Sequence, residues 1–494
     1  MTIPQPALLV ARFLRANNYS NVTLAAFLHE ANLPSDAGII SKGDLSIEQV
    51  LREKETFDLT ANFEKLGVDE ADRRWRLPAP SVPSELTTLP AASNILNTSV
   101  ELIKLSDDRI EPFILSTTAD RRLHIASACD NAFRLERSLP HAQDSPILSY
   151  SVLDNRYIFM SSMSGKVVIY DCLSDAVLSE RRDHSKYTVK VISREQSDGF
   201  WVVTAGWDAK VFVYFLRNIA GHQLQLQAPL AVLALATNPE AIMFLDHPET
   251  AKPLLLLTRR DCTFLHYYAL PGHRRGATNA PVPLQMLGKQ NLAPASNAWV
   301  AFTPSSISLC PVDPSLLAVA TSAVPHMKLI IVRLLVPPDG EAEGGSEDPT
   351  DALASQDIPE DRAAPANDSE FIALNQATQP RAALATQERE LAAILVQCST
   401  LASQTAYSTP ALAWRPDGSG LWVNSDDGIV RGIEASTGKI IASLKGHEAA
   451  SKVRCVWAGR VGRLGGNDEE WMLSGGFDQR LIIWRAPSAE AGPS

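Results

Sequence analysis

The stretch from Gly446 to Arg485, GHEAASKVRCVWAGRVGRLGGNDEEWMLSGGFDQRLIIWR, constrains the fold more than any other part of the chain. Val453, Cys455 and Val456 mark one short buried strand, Glu470 to Ser474 a second and Arg480 to Trp484 a third. Gly475-Gly476-Phe477-Asp478-Gln479 supplies a tight turn between the last two. Three antiparallel strands this short do not stand alone, so the unit reads as one module of a repeated architecture.

The unit recurs. Residues 183–214, DHSKYTVKVISREQSDGFWVVTAGWDAKVFVY, repeat its order, and six residues separate Asp208 from Tyr214 as they separate Asp478 from Trp484. The same interval joins Asp261 to Tyr267, Asp427 to Ile433 and Asp120 to Ala126, the last with Ser116 four residues before its Asp. Residues 157–171 put Ser164 where the Asp would stand and keep Tyr170, and residues 316–332 offer two apolar strands without an Asp. Seven units result, beginning near residues 97, 146, 188, 239, 299, 408 and 450.

Gly446-His447 before the first strand, Asp478 in the turn and Trp484 ending the third strand resemble the WD-repeat β-propeller family. That resemblance implies a hydrogen-bonded chain of His447, Ser474, Asp478 and Trp484, repeated by His184, Thr204, Asp208 and Tyr214. The arrangement makes physical sense because a buried carboxylate needs donors, and His, Ser or Thr and the indole supply them. Seven is the family's commonest ring size. The expected fold is therefore mainly β, a seven-bladed WD-type β-propeller preceded by a small α-helical region.

A ring of about forty residues per blade accounts for roughly 300 of the 494 residues, leaving a head and an insert. In the head, Leu8, Leu9, Phe13 and Leu14, then Leu24, Phe27, Leu28 and Ala31, predict two short amphipathic helices. Tyr19, Thr23, Phe27 and Glu30 resemble the LisH motif, which implies homodimerisation through Leu9, Phe13, Tyr19, Leu24 and Phe27. The alternative is a helical hairpin packed on the ring. The layout is LisH-like helices at 1–35, a helical extension at 36–76, a Pro-rich linker at 77–96, the propeller at 97–487 and a flexible tail at 488–494. An insert at about 337–385 is rich in acids and poor in apolar residues, a composition that predicts disorder.

The net charge of −11 is local to that insert, since residues 339–370 hold eleven acids and one arginine. The nearly neutral remainder lacks the basic, aromatic-interleaved surface of a nucleic-acid binder. Six cysteines, at 129, 172, 262, 310, 398 and 455, lie 43 or more residues apart and read as buried reduced thiols. No apolar run is long enough to span a membrane, and the N-terminus lacks a signal-peptide pattern. These features predict an intracellular protein, cytoplasmic or nuclear.

No zinc, phosphate-loop, nucleophile-elbow or dinucleotide motif occurs. A His/Ser/Asp set repeated from unit to unit serves a fold, whereas an enzyme needs one. The expectation is a non-catalytic protein-interaction scaffold with no cofactor and no metal. The alternatives are a substrate receptor or core subunit of a ubiquitin-ligase or transcriptional-corepressor complex and, from another class, a propeller enzyme.

Overall fold

The computed structural model describes residues 6–17, 19–39, 47, 73–106, 109–129, 131–217, 224–272, 281–295, 302–338, 384–462 and 468–487. The chain divides into two compact units, Met1–Glu70 and Ala71–Ser494.

In the first unit, helices α1 (Pro6–Ala16) and α2 (Asn21–Glu30) form a hairpin. Ser20 caps α2, its hydroxyl accepting from the Thr23 amide at 3.2 Å. Ala11, Leu24, Leu28 and Ala37 make a small core, with Leu8, Leu14, Phe27 and Leu33 packed on it. Residues 33–39 fold back over α1, where Arg15 donates to the carbonyls of Ala37 at 2.8 Å and Ser35 at 2.6 Å. Gly38 makes the close approach possible: its φ is +83°, and a Cβ would lie 2.6 Å from the Ala11 backbone. Of the helical extension expected at 36–76, residues 36–39 form a turn, and residues 40–46 and 48–72 lie outside the described residues.

The second unit is a seven-bladed β-propeller, each blade an antiparallel meander around a common axis. The inner strands, in blade order, are Ile95–Ser106, Ile147–Leu153, Thr188–Gln196, Pro239–Asp246, Pro304–Leu309, Leu412–Trp414 and Val453–Val461. Each packs beside the next, and the last packs beside the first, which closes the ring. The seven unit starts read from sequence each fall in or just before one of these strands.

Because every blade is covered on both faces, its second strand reads as a continuous apolar run. Gly199–Gly206 and Leu316–Thr321 are buried along their whole length. Seven apolar clusters fill the seven spaces between blades. At the outer edge of blade 3, Val282–Pro283 adds a fifth, parallel strand beside Ala231–Ala234.

The segment expected as a linker at 77–96 is part of the ring. Its residues Val82–Glu85 pair antiparallel with Leu481–Arg485 as the outer strand of blade 7. Pro83 is tolerated because an outermost strand has one edge free of ladder bonds. Just upstream, Trp75 stacks edge-on against Trp422 at 5.1 Å over Gly420 and Gly432, where any Cβ would collide with the indole.

Arg415 locks that segment in place. It is buried, forks onto Glu470 with two bonds of 2.8 Å, and donates to Ser419 Oγ at 2.9 Å and to the Arg76 carbonyl at 2.7 Å. Its guanidinium also lies 4.6 Å from the Trp75 ring.

The insert leaves the ring between the third and outer strands of blade 5, His326–Arg333 and Ile394–Ser403. Residues 339–383, which include most of the expected disordered stretch, lie outside the described residues, as does the tail at 488–494. Both flanks are anchored on blade 4. His247 Nε2 lies 3.0 Å from the Pro337 carbonyl, and Glu390, in helical residues 384–393, accepts from the Asn291 amide at 2.7 Å.

Candidate functional site

The inner strands begin, and the second-to-third strand turns lie, on one face of the ring. The centre of each such turn is a short polar residue in five blades: Asp120, Ser164, Asp208, Asp427 and Asp478. The next residue, Arg121, Gly165, Ala209, Gly428 or Gln479, has positive φ in every case. A shared backbone turn thus survives where side chains have drifted. In blade 4 Asp261 itself has φ 54°, so it occupies the left-handed position rather than the preceding one.

In blade 7 the four residues form one chain. Trp484 Nε1 donates to Ser474 Oγ at 2.8 Å, Ser474 Oγ lies 2.8 Å from His447 Nε2, and His447 Nδ1 lies 2.9 Å from Asp478. The amides of Glu448 and Arg480 also donate to Asp478. Burial alone raises the Asp478 pKa, but His447 and these two amides outweigh it and hold the carboxyl below its ordinary value. The chain joins the loop before the inner strand to the second strand, the turn and the third strand.

Blade 3 connects the corresponding four residues. His184 Nε2 lies 2.9 Å from Thr204 Oγ1, and His184 Nδ1 lies 2.9 Å from Asp208 Oδ1. Tyr214 joins this set through a side-chain hydrogen bond with Thr204 and also donates to Asp183 Oδ2 at 2.8 Å. Burial, then the neighbouring Asp183 carboxylate, push the Tyr214 pKa up.

Other blades satisfy the turn with residues that the repeat spacing does not reveal. Arg431 forks onto Asp427, the nearer bond being 2.6 Å. Asp120 accepts from Thr118, whose hydroxyl lies 3.3 Å from His124, and pairs with Arg122. In blade 2 the carboxylate arrives from the preceding loop, since Ser164 Oγ donates to Asp144 at 2.6 Å.

The outer surface of the same face carries exposed aromatics. Trp207 and Phe477 occupy equivalent positions, one residue before Asp208 and Asp478, and each turn amide is tied to the preceding loop: Trp207 N to the Tyr187 carbonyl, Phe477 N to that of Lys452, both at 2.9 Å. Tyr187 leans on Trp207 at 5.4 Å, with the Arg260 guanidinium 5.5 Å from the indole. Tyr407, in the loop before blade 6, is 91% exposed. The shared Gly-aromatic-Asp triplets at 206–208 and 476–478 were the available sequence signal for Trp207 and Phe477.

The expected dimerisation residues divide. Leu24 is buried against its own chain and Phe27 partly so, because residues 33–39 supply a third wall for the hairpin. Leu9 and Phe13 are half-buried, and Tyr19, half exposed, lies 5.9 Å from the Phe13 ring.

Among the described residues no group of three or more His, Cys, Asp or Glu is placed to hold a metal, and no helix is long and apolar enough to cross a membrane. All six cysteines are free thiols. The fold and its turn face define a β-propeller protein. The chain belongs to the family described as UCP007778, beta-propeller domain, whose model matches residues 85–485. No curated protein matches it.

Proposed function

We propose that this chain is a non-catalytic protein-interaction scaffold of WD-repeat type, carried in two copies by its LisH-like N-terminal helices. The observation that carries this reading is the pairing of exposed Tyr187, Trp207 and Phe477 with turns pinned from beneath by His184–Asp208 and His447–Asp478. Rigid amphipathic side chains on a fixed backbone bind a partner with little loss of conformational entropy. The partner is another protein, in the cytoplasm or nucleus, and no cofactor, metal, nucleic acid or membrane is needed. Half-buried Leu9 and Phe13 and exposed Tyr19 are the residues left to a two-fold contact, which would raise avidity toward a multivalent partner.

The test is affinity purification of the full chain beside a Trp207→Ala/Phe477→Ala variant of unchanged melting temperature. A partner recovered stoichiometrically with the first and lost with the second supports the reading. Equal recovery by both removes the turn face from it. Recovery of a ubiquitin-ligase or corepressor assembly would favour a subunit role within such a complex.

A further inference from the structure

Two cations of the inner strands have no acidic partner among the described residues. Lys190 is the third residue of the inner strand Thr188–Gln196 in blade 3, and Arg454 is the second of Val453–Val461 in blade 7. Blades 1 and 2 lie between them on one side and blades 4, 5 and 6 on the other, so side chains of these two strands meet only across the channel. Arg454 is the unpaired residue of a ladder irregularity between Val453 and Cys455, and Lys190, opposite Ala205, directly follows the corresponding irregularity after Thr188.

Desolvation, and then the Arg454 guanidinium, lower the Lys190 pKa, although Lys190 keeps exposed surface. Arg454 Nη1 is buried with no hydrogen-bond acceptor. The acids on other inner strands are committed elsewhere: Glu240 pairs with Arg260 at 2.8 Å, Asp246 pairs with Arg194, and Glu101 is hydrogen-bonded to Ser99. Like charges on the channel wall, one of them with a buried Nη1 that has no acceptor among the described residues, repel one another, and an anion between them relieves that cost.

We propose that this end of the central channel binds a phosphate-class oxyanion between Lys190 and Arg454. A tetrahedral oxyanion of this class offers three or four acceptor oxygens and carries more than one negative charge, so it serves the ammonium and the guanidinium together and balances both charges, which a single carboxylate does not. The site goes beyond the scaffold reading, and either can fail without the other.

Calorimetric titration of the full chain with inorganic phosphate and with pyrophosphate, at constant ionic strength, tests it. Saturable binding is expected, weakened about tenfold or more by Lys190→Met and by Arg454→Met and retained by Lys190→Arg. Melting of the unaltered protein should rise in phosphate relative to chloride at equal ionic strength, a readout that does not depend on any variant folding. If the free anions fail but a phosphoserine peptide binds and its unphosphorylated twin does not, with the same loss in both Met variants, the phosphate comes from a partner. No binding of any of these probes, or binding that both Met variants preserve, overturns the proposal.

Discussion

Gly206 lies directly against His184: a Cβ at this position would stand 2.3 Å from His184 Nδ1 and 2.8 Å from Asp208 Oδ1. Gly476 stands in the same relation to His447 and Asp478, at 3.0 and 2.6 Å. In both blades the histidine–carboxylate pair occupies the volume that any side chain there would need.

Gly206→Ala and Gly476→Ala are therefore expected to force these buried pairs apart and destabilise the ring by roughly 1–3 kcal/mol each. Thermal melts check this. Unchanged melting temperatures would show that the histidine loops move aside without cost.

Asp478 should make stability sensitive to acid. Its folded-state pKa lies below the ordinary 3.8, so its contribution is present in full above that value and is lost as pH falls through the folded pKa. Asp478→Asn should flatten this acid limb. Asp478→Ala should cost on the order of 1–3 kcal/mol at neutral pH, and Asp120→Ala less, since the Asp120 side chain is 31% exposed and so is better solvated. Equal, negligible shifts for the two Ala variants would remove the buried chain from the stability of blade 7.

Arg415→Met would strand the Glu470 carboxylate, whose side chain is 16% exposed and which now receives two bonds from the guanidinium. A loss of about 3–5 kcal/mol is expected. Arg415→Met/Glu470→Leu should recover much of it, and denaturant melts of the two variants measure the difference. No recovery would mean that the contacts to Arg76 and Trp75 matter more than the ion pair.

Light scattering should find the full chain dimeric and residues 73–494 monomeric, with Phe13→Ala/Tyr19→Ala following the truncation. Beginning at Arg73 retains the Trp75 anchor, so the ring stays intact. A truncated form that remains dimeric would move the contact to the propeller.

Five of the seven blades were legible because the turn that marks them is local, a polar residue, a left-handed residue and an apolar strand within ten positions, whereas blade 4 was read from the Asp261 to Tyr267 interval and blade 5 from two apolar strands. What escaped the sequence depends on distance. Val82–Glu85 is four residues with a proline, and nothing in it shows that its partner lies at Leu481–Arg485. Arg431 and Asp144 replace the expected partners of their turns from positions that the six-residue rule does not examine. Tyr214 meets Thr204 as its spacing implies, but its added bond to Asp183 is not visible in that spacing, which fixes the strand position and not the reach of the side chain. Lys190 and Arg454 are ordinary strand residues until the ring closes and puts the inner strands of blades 3 and 7 on opposite sides of one channel.

Ring closure by Val82–Glu85 also imposes an order on synthesis. At ~5–20 residues per second, these residues leave the ribosome some tens of seconds before Leu481–Arg485. Through that interval the first strand made has no partner, and the nascent ring is an open arc with a bare sheet face at each end. Its brevity, its proline and Glu85 discourage capture by a neighbouring chain on the same polysome. A stop codon anywhere before residue 481 would make this temporary state permanent, so nearly complete nascent products should be cleared as misfolded rather than accumulate as smaller propellers.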